Sequence, residues 1–205
     1  MSAFVAVLLI ASTAFAIYSL APARSSTQST STSTTAAPIY AKLDTSLGVI
    51  EIELFNGSAP KTVTNFVRLA QSGFYNNLVW HRVVQGFVIQ TGDPNTRNGG
   101  GDRATWGQGG SAQTVPLEID PNLHNYAGYV GMARSSDPNS GSSQFYINLS
   151  SSPQNTALDG KYTVFGKVIS GMDVVLAIGN VPVDPSNDQP LTNVYLISVT
   201  LQPTP

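Results

Sequence analysis

Cysteine is absent from this 205-residue chain, histidine occurs only twice, and Asp, Glu, Lys and Arg together make up 11% of it. Without thiols there is no disulfide framework, no thiolate zinc or iron–sulfur site, and no cysteine to serve as nucleophile or lipid attachment point. With only His81 and His124 available, a histidine-rich metal site is excluded as well. The charged fraction falls well below the about one quarter usual in soluble domains. No run of Lys or Arg offers a footprint for nucleic acid, and the formal net charge is −2. What remains is 41% hydrophobic, with 18 glycines and 13 prolines. That composition fits short strands and frequent turns, and the length allows one sizeable domain with a full core.

The N-terminus stands apart from the rest. No charged residue occurs from Ala3 to Ala21, and a helix of that length at about 1.5 Å per residue spans roughly 28 Å, enough for a bilayer core. Residues 1–24 therefore read as a signal peptide or membrane anchor. Ser25 to Thr35 is almost wholly Ser, Thr and Gln. It buries no apolar surface, so 25–38 reads as a solvated linker. An apolar segment, a polar tether and a folded domain over 39–205 together predict an extracytoplasmic protein, membrane-anchored through the N-terminal segment or secreted.

Within the folded part, Gly48 to Leu54 alternates Ile50, Ile52 and Leu54 against Val49, Glu51 and Glu53, the pattern of a half-buried strand. Ser58 is placed to cap a helix with Pro60 in its first turn and Gly73 beyond its end. Further strands are expected at Leu78 to Val84, Phe87 to Thr91, Tyr129 to Ala133, Phe145 to Leu149, Thr163 to Ile169 and Val194 to Leu201. A short helix runs from Met172 to Ile178. Many strands with only two helices point to a mainly β barrel or sandwich.

Two tempting motifs fail on context. Gly99 to Ala104 and Gly107 to Ala112 both match G-x-G-x-x-A, but neither opens an amphipathic helix that could hold a pyrophosphate, and both read as flexible surface loops. Ser142 and Ser143 lack the closing glycine of a nucleophile elbow. The informative stretch is Trp80-His81-Arg82-Val83-Val84-Gln85-Gly86-Phe87-Val88-Ile89-Gln90-Thr91-Gly92-Asp93. An arginine amid apolar strand residues must be paired or must reach a groove, because a buried, unpaired guanidinium is prohibitively costly. Downstream, Met132-Ala133-Arg134-Ser135-Ser136-Asp137-Pro138-Asn139-Ser140 leads to Ser143-Gln144-Phe145-Tyr146-Ile147, which sets Gln144 and Tyr146 on one face of a strand. Leu158-Asp159-Gly160-Lys161-Tyr162 then reads as a turn.

These stretches, in this order over about Lys42 to Leu201, resemble the cyclophilin family of peptidyl-prolyl isomerases, and the Met-Ala-Arg-Ser-x-Asp-Pro-Asn-Ser form is similar to its prokaryotic branch. The resemblance implies a closed eight-stranded antiparallel barrel capped by two helices, with a substrate groove on its outer face. It implies Arg82, Gln90 and Gln144 as catalytic residues. It further implies Phe87, Val88, Ala133, Arg134, Tyr146, Leu158 and Tyr162 as substrate-binding residues. Two positions depart from the best-studied form: Ala157 replaces a Trp before the pocket leucine, and Tyr162 replaces a His after Gly-Lys. The first weakens the case for tight cyclosporin binding.

The inventory suits the chemistry. Rotation about X–Pro is limited by amide resonance, with a barrier of roughly 18–20 kcal/mol, and breaks no bond. It needs no metal, cofactor or nucleophile, only a site that holds the ring and favours the twisted amide. The expected activity is peptidyl-prolyl cis-trans isomerisation, assisting the folding of exported proteins by a monomer that acts on proline-containing unfolded or partly folded polypeptides. A proline-peptide binding module or holdase without essential turnover is the alternative, and a loss of Arg82 would have favoured it.

Overall fold

The computed structural model describes residues 38–204, so the apolar segment 1–24 and all but the last residue of the linker 25–38 lie outside the described residues. The chain enters through β1 (Ile39–Thr45), which pairs antiparallel with β2 (Gly48–Leu54). The sequence reading passes over β1 because Tyr40, Lys42 and Asp44 break up its apolar face. The structure buries its alternate residues Ala41, Leu43 and Thr45. Helix α1 (Pro60–Gln71) follows, then the short strands β3 (Leu78–Val79), β4 (Arg82–Val84) and β5 (Val88–Thr91). After a long loop come β6 (Tyr129–Met132) and β7 (Phe145–Asn148). The single-turn helix α2 (Pro153–Thr156), strand β8 (Val164–Ser170), helix α3 (Met172–Gly179) and strand β9 (Tyr195–Gln202) complete the fold.

The strands form one sheet in the order β3-β9-β1-β2-β8-β6-β7-β5-β4, every pair antiparallel. This corrects the expected closed eight-stranded barrel: the sheet has nine strands and its hydrogen-bonded ladder is open. The extra strand arises where Leu78 to Val84 was read as continuous. Leu78 and Trp80 belong to the hydrophobic core, while Val79 and His81 are buried outside it, His81 beside Gly107. Pairing breaks at Trp80–His81: Leu78 and Val79 pair with β9, Arg82 to Val84 pair with β5, and the two halves become the two edges of the sheet. Neither edge is bare. Thr96 Oγ1 accepts from the Val79 N–H at 3.0 Å, Thr91 Oγ1 donates to the Val79 carbonyl at 2.9 Å, and the Asp188 carbonyl accepts from the Val83 N–H at 2.9 Å. A third helix, α2, joins the two that were expected.

Helix α1 is amphipathic, with Val63, Phe66, Leu69 and Ala70 buried. Its N-cap is Ala59, not Ser58, and makes no side-chain capping bond. Ser58 Oγ instead donates to Asp120 at 2.6 Å. Glu118 supplies the cap from far along the chain, accepting from the N–H groups of Lys61 at 3.0 Å and Thr62 at 2.8 Å. A carboxylate there also suits the positive end of the helix dipole. Beneath the helix, Phe66 stacks edge-on to Phe145 with ring centroids 5.5 Å apart, and Trp80 meets the same Phe145 at 6.0 Å. This aromatic cluster is the floor on which β4, β5 and β7 present their opposite faces.

Candidate active site

Strand alternation carries the site. In β4, Val83 is buried in the core and Arg82 faces outward; in β5, Ile89 is in the core while Val88 and Gln90 share the other face. In β7, Phe145 and Ile147 point into the core, which turns Gln144 and Tyr146 to the face carrying Arg82. Register does the rest: Arg82 pairs with Gln90, and Gln90 with Tyr146. Gly131 of β6 lies directly under the Tyr146 ring, and a Cβ at that position would collide with it.

The polar side chains form a relay. Gln90 Oε1 lies 3.5 Å from the Arg82 guanidinium, a long contact, and Gln90 Nε2 donates to Gln144 Oε1 at 2.8 Å. Gln144 Nε2 donates in turn to the carbonyls of Gly107 at 2.9 Å and Gly109 at 2.7 Å. The N–H groups of those same two glycines donate to Asp93 Oδ2, and Asp93 Oδ1 accepts from the Asn95 N–H at 2.8 Å. The glycine stretch expected to be a loose surface loop is therefore held from both sides. Arg82 also reaches Asp188 at 3.7 Å, but both side chains are about two-fifths exposed, so the pair orients more than it stabilises.

Beside the relay lies a cavity of about 270 Å³ whose wall includes Arg82, Phe87, Val88, Gln90, Ala133, Arg134, Tyr146, Leu158 and Tyr162. Nine of the ten residues singled out from the sequence thus share one cavity. The tenth, Gln144, borders a second cavity of about 390 Å³ that shares Gln90, Ala133 and Arg134 with the first. Phe87 is placed by the β4–β5 turn, its carbonyl accepting from the Leu149 N–H at 2.8 Å and from Asn155 Nδ2 at 2.9 Å. The Arg134 guanidinium lies 4.6 Å over the Tyr162 ring, and Tyr162 meets Tyr146 edge-on at 6.0 Å. Ala157 is exposed and borders neither cavity.

Burial, reinforced by Tyr162 and Asp159, pushes the Tyr146 phenol above its ordinary value. The Tyr146 hydroxyl donates to Asn125 at 2.8 Å, so this polar tip points away from the cavity into the protein. Burial also pulls the His81 imidazole down to about 4, against the raising effect of Asp93. The residues missed from sequence are these supports: Asp93, His81, Asn125 and Asp188. Asp93 carried a signal, since it closes the Gln-x-Gly-Asp stretch, while Asn125 and Asp188 lie in loops whose place only the fold reveals.

A mainly β fold whose single antiparallel sheet carries a surface groove, with the Arg82 guanidinium beside Phe87, Val88, Tyr146 and Leu158, defines the class of protein. Comparison with known proteins names the family. Residues 40–201 match the model of the cyclophilin type peptidyl-prolyl cis-trans isomerase/CLD family. The chain is 44% identical over 155 residues to peptidyl-prolyl cis-trans isomerase-like 1 of Aspergillus niger, covering 75% of this chain and 89% of that one. It is 39% identical over 164 residues to the human peptidyl-prolyl cis-trans isomerase-like 3, covering 80% and 96%. Among solved structures, a cyclophilin type isomerase of Cryptosporidium parvum superposes with a TM-score of 0.71 at 31% identity, covering 82% of this chain and 99% of that one. The chain belongs to the cyclophilin-type peptidyl-prolyl cis-trans isomerases, enzymes that need no cofactor.

Two expectations change with these comparisons. The relatives named are eukaryotic, so they lend no support to a prokaryotic branch. The extracytoplasmic placement is overturned as well. The matching relatives are eukaryotic isomerase-like proteins, and among the described residues no helix is long and apolar enough to cross a membrane. The apolar segment on which that placement rested lies outside the described residues.

Proposed function

We propose that the 270 Å³ cavity holds the proline ring of X–Pro segments in unfolded or partly folded polypeptides, and that Arg82 is the catalytic residue. As the amide twists, its nitrogen loses resonance and regains a lone pair. A preordered guanidinium at the cavity rim donates to that nitrogen and lowers the barrier to rotation. Phe87, Val88, Tyr146 and Leu158 bury the ring. Gln90 and Gln144 act as a relay that aims Arg82 and meets the substrate backbone, while Ala133, Arg134 and Tyr162 line its path. The observation that carries this reading is that nine residues far apart in the sequence, all implied by the family resemblance, line one cavity. A solved relative studied in the presence of the dipeptide Ala-Pro supports the choice of ligand. The isomerase unit in this reading is 39–205.

The test is cis-trans exchange of a short X–Pro peptide, measured with the wild-type protein and Arg82→Ala. Acceleration by the first and its near loss in a folded second is the expected result. Equal turnover by both would remove Arg82 from the mechanism.

A further inference from the structure

The groove carries charge of one sign. Arg82 and Arg134 border the proline cavity, Arg134 also borders the adjoining one, and no Asp or Glu lines either cavity. That is a local inversion in a chain whose net charge is −2. The carboxylates nearby are committed elsewhere. Asp159 accepts from the Asn125 N–H at 2.7 Å and lies 2.8 Å from His124 Nδ1, and Asp188 faces Arg82. Asp137 accepts from the Asn139 N–H at 2.9 Å within its own exposed turn. Asp93, under the glycine loop, is fully buried and spreads its charge over three backbone N–H groups.

Arg134 is the less committed cation. Its Nε donates to the Lys161 carbonyl at 2.9 Å and its Nη1 to the Ser135 carbonyl at 2.8 Å, with Tyr162 beneath. Those bonds order the guanidinium without neutralising it, and among the described residues no carboxylate lies within ion-pairing distance. An ordered cation loses little further freedom on pairing with a ligand. Ser142 lines the second cavity with a hydroxyl able to donate, while Ser135 Oγ donates to Ser140 Oγ at 2.8 Å and Ser140 Oγ to the Asp137 carbonyl at 2.6 Å. Lys161 borders neither cavity; its Nζ donates to the carbonyl of Ala157, the residue before Leu158, at 2.9 Å.

We infer that this groove selects X–Pro segments with a carboxylate side chain one or two positions from the proline, which Arg134 and the Ser142 hydroxyl of the second cavity receive. The inference rests on the reading that the first cavity holds the proline ring. The shared wall of Gln90, Ala133 and Arg134 then sends a flanking residue into the second cavity.

The experiment uses peptides with Glu, Gln or Lys at each of the two positions before proline and the one after it, reading both isomerisation rate and binding. At low salt, kcat/KM for Glu at the favoured position should exceed that for Lys about fivefold, in line with a partly exposed ion pair. The ratio should collapse in 1 M salt, where the Debye length is about 3 Å. Arg134→Gln should bring the ratio close to one, and Arg134→Lys should keep part of it. Equal turnover of Glu and Lys peptides, or a preference unchanged in Arg134→Gln, would overturn the inference and leave the isomerase reading intact. Charge-selective binding without turnover would uphold the inference and remove the catalytic role of the groove. Absence of both would overturn both.

Discussion

Arg82 and Gln90 stand opposite each other in the antiparallel β4–β5 pair, and the Gln90 amide bridges from the Arg82 guanidinium to Gln144. The register of a single hairpin therefore aims the arginine. Each residue of that chain is held by the next, ending on main-chain groups that Asp93 fixes. Five outcomes are expected from this arrangement and from the packing around it.

Arg82→Ala should lower kcat/KM about a hundredfold, equivalent to about 2.7 kcal/mol of transition-state stabilisation. The Arg82 side chain is 39% exposed and its one ion pair is long, so the variant should melt close to the wild type. Peptide isomerisation with a parallel melting curve checks both halves; an unfolded variant would place Arg82 in the core's support instead.

Asp93→Asn should act at a distance. The substitution leaves fewer charged acceptors for Gly107, Gly109 and Asn95, loosens the glycine loop and frees Gln144. Loss of such a buried acceptor destabilises by about 1–3 kcal/mol. Misaiming the relay should cost about tenfold in kcat with little change in KM. A variant that loses stability but keeps kcat would show that the loop does not set the relay.

Cyclosporin-type inhibition should be weak, because Ala157 is exposed and offers neither the indole donor nor the apolar face of the family's tryptophan. An interface anchor of that kind is typically worth at least about 2 kcal/mol, or about thirtyfold in affinity. Ala157→Trp should recover much of it in an inhibition titration. Nanomolar inhibition of the unmodified protein would mean that other contacts dominate.

Acid should weaken the fold through His81. Its imidazole titrates at about 4 in the folded protein, against about 6.5 when unfolded. Between those values the unfolded chain holds the extra proton, so stability is complete above about pH 6.5 and falls as pH drops toward 4. The displacement corresponds to at most about 3 kcal/mol. Melting temperatures at pH 7 and 4.5 should show a smaller drop for His81→Leu than for the wild type. Turnover should stay nearly flat from about pH 6 to 8.5, since no histidine borders the cavity.

Truncation tests where the isomerase unit begins. A chain starting at residue 38 should fold and turn over X–Pro peptides, because β1 and its seven pairings with β2 are intact. Starting at Gly48 removes β1 and with it the fully buried Ala41 and Leu43. It also strips the central partner from β2 and β9. Circular dichroism should show that protein unfolded.

By itself the sequence determined which side chains can serve the site. Period-two alternation puts Arg82, Gln90, Gln144 and Tyr146 opposite Val83, Ile89 and Phe145, because neighbours on a strand must point to opposite faces. The resemblance of their motifs to the cyclophilin family then implied that they share one groove. Tertiary structure decided everything that depends on the path of the chain. Local periodicity carries no sign of Glu118 capping α1 from 56 residues away, of Asp93 gripping a glycine loop, or of Asn125 receiving the Tyr146 hydroxyl. Each is a long-range polar bond whose partners share no local pattern. The opening of the sheet is of the same kind. Leu78 to Val84 reads as one apolar strand, and only its long-range partners, β9 for Leu78 and Val79 and β5 for Arg82 to Val84, turn its halves into separate edges.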